Sequence, residues 1–479
     1  MNQPYARPAP AAVVDSRSPA RPWARTRRLV LGGAALGGAA LASAAPAACA
    51  PGGGRRGPPA GAAPVELDLW HTHTVPGPAF DGLGAALDEY RADKPQVSFK
   101  LTFVPGSSAS MAGGYNDKIT AAIAAGTPPD VLHMNRPPEF GEAGLLTELG
   151  AFIKRDRAFN AADFFEGPWV RCTFFDRVWG IPVICDDRAI WLNKALFREA
   201  GLDPTRPPKT WAEMEEAAQR LTKRVGGALE RVGFVPVGIG NAELYSWIYA
   251  NGGEIVRVTP EKAEIQFNKP PAVEAAEWLV KMYDRIGGVD AWEAFRKNFQ
   301  GQAQDPFFVG QVAAKRDGSW FLATVKQFAP HLEYGLAPEP YGPSGKGPAT
   351  MVGGYNWSIS KGARHAEQGW EFLAWFSQKE PASRYAAAQG NMPGRKSALT
   401  TDYVQKNPEI KFFFEALRYG RPFPTAPWTQ VMWDSVNVEA QTAILRRQQS
   451  PKAALDGAAQ KVQVEIDRWL RESKERGKG

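Results

Sequence analysis

Cysteine and histidine are scarce in this chain, with three cysteines and five histidines among 479 residues. His71 and His73 alternate at a strand end, but no further histidine, cysteine or acidic cluster lies near them, and a zinc site needs about three or four ligands. We therefore expect no metal and no cofactor. Cys172 and Cys185 permit one disulfide at most, which export would allow, and two buried thiols are the alternative.

Sequence patterns of common enzyme classes are also missing. The chain has no Gly-x-Ser-x-Gly elbow of a serine hydrolase and no dinucleotide-binding fingerprint after its first strand. The glycines of residues 342–346 are too close together for a phosphate loop. Asp186 and Asp187 are neighbours, whereas the two carboxylates of a glycosidase lie about 5 Å or more apart across the sugar. We expect a protein that is not an enzyme, with a secreted glycoside-active enzyme as the remote alternative.

The apolar run of residues 29–45 is too short and too rich in glycine for a membrane-spanning helix, which needs about 20 residues of stronger hydrophobicity. Paired arginines stand just before it, so residues 1–49 are predicted to be an export signal. The signal resembles the twin-arginine type, and the ordinary secretory route is the alternative. Cys49 resembles a lipobox cysteine, although Pro46 stands where a lipobox usually has Leu. We expect lipidation of Cys49, the alternative being a free cysteine in a leader cleaved further on.

The basic character of the chain belongs to its leader. Residues 1–49 hold six basic side chains and one acidic one, so that their removal leaves 51 basic and 49 acidic residues. Residues 50–64 are rich in Pro, Gly and Ala, which predicts a flexible tether. The part that folds is therefore nearly neutral, and we expect no nucleic-acid partner.

The start of the folding part alternates strands with helices. Residues 65–70 and 97–104 alternate apolar and polar side chains, and residues 129–134 are typical of a short buried strand. Helical periodicity at residues 80–92 and 115–125 separates them. This βαβαβ order predicts a mostly parallel sheet covered by helices, with ligands bound beyond the carboxyl ends of the strands. The residues at those ends are His71, Thr72, Asn135 and Arg136.

The α/β pattern restarts beyond residue 180, with strand-like residues 181–185 and a helix capped by Thr210. Glu213 stands three residues after that cap, as in a capping box. Residues 65–479 are too many for one hydrophobic core. The sequence therefore predicts an α/β protein of two lobes.

Tryptophan is abundant, with 16 residues, and several stand at the ends of segments rather than inside apolar runs. Sugar rings present flat apolar faces edged with hydroxyls, so a saccharide site combines aromatic platforms with polar hydrogen-bonding groups. Trp247 and Trp320 are the predicted platforms. A place in the core is the alternative for each of them.

Seven segments together resemble one known family, the family 1 extracellular solute-binding proteins of bacterial ABC importers, which are related to the maltose-binding protein. They occur in the order and at the spacing of that family. The segments are "YNDKITAAIAAGTPPDVL", "WGIPVICDDRAIWLNKALFREAGLDP", "PPKTWAEMEEAAQRLTK", "YANGGE", "VGQVAAKRDGSW", "GGYNWSIS" and "QGNMPGRKSA".

The resemblance implies a type II periplasmic-binding-protein-like fold, with two α/β lobes, hinge strands and a central ligand cleft. It places the first crossing at residues 181–186, a second at residues 353–356 and a third after the helix of residues 366–378. Lobe one is then expected to comprise residues 65–181 plus 355–380, and lobe two residues 182–354 plus 381–479.

The resemblance also implies the function. We expect a monomer, held by its lipid anchor outside the cytoplasmic membrane, that captures a mono- or oligosaccharide and delivers it to the permease subunits of an ABC importer. A receptor for glycerol 3-phosphate or another sugar phosphate, clamped by Arg136 or Arg395, is the alternative. The residues that match the family's ligand contacts are His71, Thr72, Tyr115, Asn116, Asn135, Arg136, Asp186, Trp247, Trp320, Tyr355, Asn356 and Arg395. Asp186 is expected to face the cleft and Asp187 to face away.

Overall fold

The structure is a computed structural model that describes residues 63–73, 75, 77–104, 114–236, 243–259 and 261–476. The predicted export signal, the lipidation site Cys49 and all but the last two residues of the tether lie outside the described residues. Residues 61–479 form one compact unit. No helix of the described ranges is long and apolar enough to cross a membrane.

Strands and helices alternate along the chain. The strands are β1 (Val65–His71), β2 (Val97–Phe103), β3 (Val131–Met134), β4 (Thr173–Phe174), β5 (Arg177–Val178), β6 (Ile181–Asp186), β7 (Arg188–Asn193), β8 (Lys223–Val225), β9 (Ala228–Val235), β10 (Val256–Val258), β11 (Ala263–Ile265), β12 (Val312–Gly318), β13 (Tyr334–Ala337), β14 (Thr350–Ile359), β15 (Met392–Pro393) and β16 (Gly420–Pro422).

The helices are α1 (Pro78–Asp93), α2 (Gly114–Ala124), α3 (Pro137–Glu142), α4 (Gly150–Arg155), α5 (Glu166–Val170), α6 (Lys194–Glu199), α7 (Trp211–Leu221), α8 (Glu243–Ala250), α9 (Pro270–Asp284), α10 (Val289–Arg296), α11 (Phe321–Phe328), α12 (Ala366–Phe376), α13 (Lys379–Gln389), α14 (Asp402–Gln405), α15 (Pro408–Ala416), α16 (Thr429–Trp433), α17 (Gln441–Leu445) and α18 (Pro451–Arg476). A π-helical segment, Asp434–Ala440, joins α16 to α17.

The larger sheet has seven strands in the order β15-β6-β14-β3-β1-β2, with β16 paired to the start of β14. The predicted parallel pairing is confirmed for β1, which pairs with β2 and with β3. β14 lies between β3 and β6 and runs antiparallel to both, so the sheet is mixed. This arrangement brings the carboxyl end of β6 beside the first half of β14.

The smaller sheet has five strands in the order β13-β7-β12-β9-β8. Its packing is rich in tryptophan, with the Trp211 and Trp278 rings stacked 4.6 Å apart and Trp247 4.8 Å from Trp278. The predicted capping box is confirmed at the start of α7, where the Thr210 side chain accepts from the Glu213 N–H. Each sheet thus has helices packed on it.

The chain passes from the larger to the smaller sheet at Asp187, because β6 ends at Asp186 in one sheet and β7 begins at Arg188 in the other. Thr350, at the start of β14, stabilises this connection between the sheets through two hydrogen bonds. Its hydroxyl accepts from the Arg188 N–H at 3.0 Å and donates to the Arg188 carbonyl at 2.9 Å.

Gly354 allows β14 to approach β6 closely at the same point. Its φ is 127°, and a Cβ there would lie 2.2 Å from the carbonyl oxygen of Ile184. Only glycine fits such a position without displacing the neighbouring strand.

The structure packs residues on both sides of the predicted lobe boundary at residue 380 with the larger sheet. α13 spans that boundary and β15 follows it. Met392 pairs with Cys185 of β6, and the Tyr385 ring lies 4.9 Å from Phe376 of α12. Strand pairing and aromatic packing therefore associate α13 and β15 with the larger sheet.

Candidate functional site

One cavity of about 820 Å³ is lined by residues from both sheets. This volume is in the range of small-molecule sites. The lining combines charged, amide and aromatic side chains. Its residues are Asn135, Arg171, Asp186, Arg188, Val235, Trp292, Arg296, Phe299, Gly301, Gln302, Gln304, Asp305, Pro306, Val312, Lys315, Arg316, Asp317, Gly318, Trp320, Met351, Gly353, Gly354, Tyr355, Gln389, Asn391, Phe423 and Trp433.

An ion pair and an indole form one part of the wall. The Arg188 Nη1 lies 2.5 Å from Asp186 Oδ1, and the two side chains are 14% and 8% exposed. The guanidinium carbon of Arg188 lies 4.9 Å from the centre of the Trp320 ring, and Trp320 is 36% exposed. A Cβ at Gly353 would lie 2.3 Å from Asp186 Oδ1, so the glycine leaves room for this pair. The wall therefore offers a fixed carboxylate beside an accessible aromatic ring.

Lys315 of β12 links two further carboxylates of the wall. Its Nζ lies 3.0 Å from Asp305 Oδ2 and 2.9 Å from Asp317 Oδ2. Burial alone would lower the pKa of Lys315, but the charges of the two aspartates outweigh it, and the pKa is raised. The lysine therefore stays charged and holds the two carboxylates of the wall near each other.

Arg171 connects two parts of the cavity wall through hydrogen bonds. It is buried, and its two terminal nitrogens donate to the carbonyl oxygens of Gly354 and Asn135, each at 2.9 Å. These bonds tie β14 to the end of β3. Arg171 therefore has a positioning role in the site.

Tyr355 rests on a group of buried histidines. Its ring stacks on His133 with centres 4.6 Å apart and an interplanar angle of 8°. The His73 ring lies 4.4 Å from His133. Burial lowers the pKa of His71 to about 4 and that of His73 to about 3, and it lowers the pKa of His133 well below its ordinary value. The group is therefore neutral at pH 7 and serves as a rigid aromatic support.

No group of three or more histidine, cysteine or acidic side chains within the described ranges has the arrangement of a metal site. The His71 Nδ1 has no hydrogen-bond partner, whereas His73 Nε2 bonds the Tyr385 hydroxyl. His73 and His133 are therefore directed at protein groups.

Four of the residues predicted as ligand contacts line the cavity: Asn135, Asp186, Trp320 and Tyr355. They come from the ends of β3 and β6, from the loop after β12 and from β14. The fold thus brings together positions that are far apart in the chain.

Trp247, the other predicted sugar platform, is not among the residues that line the cavity. The side chain is fully buried, its ring lies 4.8 Å from Trp278, and its indole N–H donates to the Pro236 carbonyl at 3.1 Å. Its neighbours cover the ring in this structure.

Arg395, a predicted ligand contact, is also not among the residues that line the cavity. Its guanidinium donates to the Asn160 carbonyl at 3.1 Å and to the Ser377 carbonyl, and it pairs with Asp163 at 3.3 Å. It also lies over the Phe164 ring at 4.2 Å. Its hydrogen bonds are therefore directed at the protein interior.

Five other predicted contacts, namely His71, Thr72, Tyr115, Arg136 and Asn356, are not among the residues that line the cavity. The polar groups of four of them bind protein partners. The Tyr115 hydroxyl donates to the His133 carbonyl at 2.7 Å, and the Thr72 hydroxyl lies 3.0 Å from His133 Nδ1. Arg136 pairs with Glu139, and the Asn356 amide donates to the Met134 carbonyl. The side chain of Asn116 lies outside the described residues.

The two cysteines are free, buried thiols. Cys172 Sγ donates to Asn356 Oδ1 at 2.9 Å, and Cys185 Sγ points to the Pro393 carbonyl at 3.7 Å. Burial raises the pKa of both thiols. The sequence left a disulfide or two buried thiols as alternatives, and the structure has two buried thiols.

Sequence reasoning missed several wall residues, above all Arg188, Asp305 and Lys315. Lys315 and Asp317 are two apart on β12, so they point to the same face, and this alternation was a usable signal. Arg188 and Asp305 come from a strand start and a loop, where no periodic pattern marks them.

The structure has two α/β groups of strands and helices, and one polar and aromatic cavity is lined from both sheets. This arrangement defines a receptor of the type II periplasmic-binding fold. The family model for the bacterial extracellular solute-binding protein matches residues 72–382. The chain belongs to this family.

Relatives and solved structures agree with that assignment. The maltodextrin-binding protein MdxE of Bacillus subtilis (strain 168) is 24% identical over 318 residues, covering 64% of this chain and 71% of the relative. The sn-glycerol-3-phosphate-binding periplasmic protein UgpB of Shigella dysenteriae serotype 1 (strain Sd197) is 23% identical over 445 residues, covering 86% and 95%. The solved structure of CpMnBP1 with mannobiose bound matches with a TM-score of 0.72 and 27% identity, covering 83% of this chain and 99% of that one.

Proposed function

We propose that this protein is the extracellular solute-binding receptor of a bacterial ABC importer, capturing a mono- or oligosaccharide for a membrane permease. The observation that carries the proposal is the wall where the accessible Trp320 indole lies beside the fixed carboxylate of Asp186. An indole stacks on the apolar face of a sugar, while the carboxylate accepts its hydroxyls. Asn135 and Tyr355 complete the proposed contacts.

The proposed mechanism is closure about a hinge. Asp187 and the Gly353–Gly354 stretch, where the two groups of strands join, are the proposed hinge points. Solute binds one lobe, and closure lets the other lobe complete the hydrogen bonds, so ligand increases the population of the closed form. Such a receptor working at a Kd of about 1 μM needs about 8 kcal/mol of net binding. Several hydrogen bonds and one stacked ring supply that amount.

The proposed lobes follow the sheets. The larger sheet, with residues 65–186, the second half of β14 and residues 366–393, forms lobe one. The smaller sheet and the helices that pack on it form lobe two. The supporting observation is the pairing of β15 with β6.

A sugar phosphate is the alternative ligand, as the relative UgpB is named for glycerol 3-phosphate. The predicted clamps Arg136 and Arg395 are bonded to Glu139 and Asp163. Of the wall cations, Arg188 is paired with Asp186 and Lys315 with two aspartates. The wall also holds Arg171, Arg296 and Arg316, so its cations outnumber its carboxylates, and a sugar phosphate stays the alternative that the screen tests.

Binding without turnover is part of the proposal. Asp187, the neighbour of Asp186, is fully buried. It therefore does not face a scissile bond from the cavity. The other two carboxylates of the wall, Asp305 and Asp317, are both paired with Lys315.

We also propose that residues 1–49 direct export, that Cys49 anchors a monomer through lipid at the outer face of the cytoplasmic membrane, and that residues 50–64 form the tether. Membership of an extracellular family supports export. The amino-terminal sequence supports the anchor.

The test is a thermal-shift screen of residues 50–479 against neutral sugars and sugar phosphates. A rise in Tm with neutral sugars supports the proposal. Trp320→Ala is expected to reduce this rise in Tm. Val464→Ala, a change at an exposed position of α18, is the control and is expected to leave the rise unchanged. A rise with phosphates alone favours the alternative ligand. Conversion of the bound sugar to product, abolished by Asp186→Asn, would overturn the receptor role.

A further inference from the structure

Arg188 is the first residue of β7 and lies where the two sheets meet. In the smaller sheet it is the strand partner of Gly318 in β12. In the larger sheet Asp186, two residues earlier in the chain, is the strand partner of Gly353 in β14. The Thr350 hydroxyl also bonds the N–H and the carbonyl of Arg188. Strand pairing and these two bonds therefore fix the backbone on both sides of the arginine side chain.

The Arg188 side chain touches two of the proposed ligand contacts at once. Its Nη1 lies 2.5 Å from Asp186 Oδ1 and donates to the Met351 carbonyl at 3.1 Å. Its guanidinium carbon lies over the Trp320 ring, 4.9 Å from the ring centre. A guanidinium can bind a carboxylate through its N–H groups while its flat face packs on an aromatic ring. One side chain thus joins the carboxylate at the end of β6 to the indole that follows β12.

Two glycines leave the space that this arrangement needs. A Cβ at Gly318 would lie 2.1 Å from Cζ3 of the Trp320 ring. A Cβ at Gly353 would lie 2.3 Å from Asp186 Oδ1 and 2.9 Å from Arg188 Nη1. Any other residue at either position would therefore displace one of the three side chains. Because the two glycines are the strand partners of Arg188 and Asp186, the strand register itself provides the room.

Asp186 keeps one carboxylate oxygen for a ligand. Arg188 engages Oδ1, and in the described part of the chain no hydrogen bond or ion pair engages Oδ2. The Asp186 side chain is 8% exposed and lines the cavity. Each oxygen of a carboxylate can accept about two hydrogen bonds. Oδ2 can therefore accept from a ligand hydroxyl while Oδ1 holds the carboxylate in place.

We propose that Arg188 is the positioning residue of the cavity, which fixes the Asp186 carboxylate relative to the Trp320 indole so that one sugar ring uses both. The nature of the ligand rests on the proposed function, whereas the fixed geometry does not. Two contacts that are already held in place lose less conformational freedom on binding than two mobile ones. Without Arg188 both contacts remain, but the geometry between them is lost, and with it the affinity that depends on using them together.

The first test needs no ligand. Residues 50–479 are labelled with fluorotryptophan, and the Trp320 resonance in the fluorine NMR spectrum is the one that is absent from Trp320→Phe. Arg188→Met removes the guanidinium, so the Trp320 resonance is expected to shift or broaden. Arg188→Lys keeps a positive charge beside Asp186 but has no planar group to pack on the ring, so it is expected to change the same resonance. A Trp320 resonance that stays unchanged in Arg188→Met would overturn the proposal.

Arg155→Met is the matched control for this spectrum. Arg155 also pairs with a carboxylate, that of Glu367 at 2.5 Å, and its guanidinium carbon also lies 4.9 Å from the centre of an aromatic ring, that of Phe152. None of these three residues lines the cavity. The Trp320 resonance is expected to keep its wild-type position in this variant. A shift as large as that in Arg188→Met would show a general response of the protein and overturn the assignment.

The second test is a double-mutant cycle in isothermal titration calorimetry, with the neutral sugar that gives the largest thermal shift. Arg188→Met is expected to weaken the Kd by about tenfold, a loss typical of a charged hydrogen bond. In the Trp320→Ala background the same change is expected to weaken the Kd less, because the platform that Arg188 positions is already gone. Equal losses in the two backgrounds would overturn the positioning role, since a merely structural effect of Arg188 acts alike with and without the platform. If no neutral sugar stabilises the protein, the proposed function fails, while the fluorine spectrum still decides the role of Arg188.

Discussion

Asp186 and Asp187 are adjacent in the chain, but Asp186 lines the cavity and Asp187 is fully buried. Replacing each by alanine therefore distinguishes an effect on ligand binding from an effect on the protein core. Asp186 lines the cavity and pairs with Arg188 at 2.5 Å. Removing a charged hydrogen-bond acceptor from a buried site costs about 1.5–3 kcal/mol. At about 1.4 kcal/mol per tenfold, Asp186→Ala is expected to weaken the Kd for the bound sugar by about tenfold to a hundredfold.

Asp187 is fully buried, and neither carboxylate oxygen has a hydrogen-bond partner. Because Asp187 is not among the residues that line the cavity, Asp187→Ala is expected to change the Kd less than about threefold, within the range of indirect effects. The measurement is isothermal titration calorimetry with a sugar that stabilises the wild type. Equal losses of affinity in the two variants would refute the placement of the cavity wall.

Three further changes have distinct expected results. Trp320→Ala is expected to weaken sugar binding by about 0.5–1.5 kcal/mol in calorimetry, because the stacking platform is lost. Trp320→Phe is expected to keep most of the affinity. An unchanged Kd in the alanine variant would exclude stacking on Trp320. Trp247→Ala is expected to lower the free energy of unfolding by about 3–5 kcal/mol in urea titrations, since the ring is in the core; a loss of affinity without a loss of stability would contradict this. Burial raises the pKa of Asp187 well above its ordinary value, so its contribution to stability is complete below the unfolded-state pKa and is lost as the pH rises through the folded-state pKa. Urea titrations from pH 5 to 9 are expected to show the wild type losing stability relative to Asp187→Asn as the pH rises, and parallel curves would contradict that.

Local structure was predictable where the sequence pattern is itself local. The alternation of residues 65–70 predicted β1, which is Val65–His71, and the Thr210 cap predicted the start of α7. The parallel order of the first strands followed from the βαβαβ pattern. Periodicity and capping depend on near neighbours in the chain, so they can be recognised without the fold.

The site was predictable only in part, because its geometry depends on contacts between distant residues. Trp320 and Trp247 look alike in sequence, yet one lies over the cavity and the other under Trp278. Nothing near Arg395 in the chain indicates that Asp163 and the Ser377 carbonyl take up its hydrogen bonds. The association of β15 with β6 could not be recognised either, since it pairs Met392 with Cys185 and Pro393 with Ile184, residues far apart in the chain.

The central claim is that a carbohydrate binds in the cavity between the two sheets. A crystal structure of residues 50–479 with the sugar that gives the largest thermal shift tests it most directly. The expected result is a sugar ring stacked on Trp320 with a hydroxyl bonded to Asp186 and the two lobes closed around it. A sugar bound elsewhere on the chain, with this cavity empty, would contradict the claim.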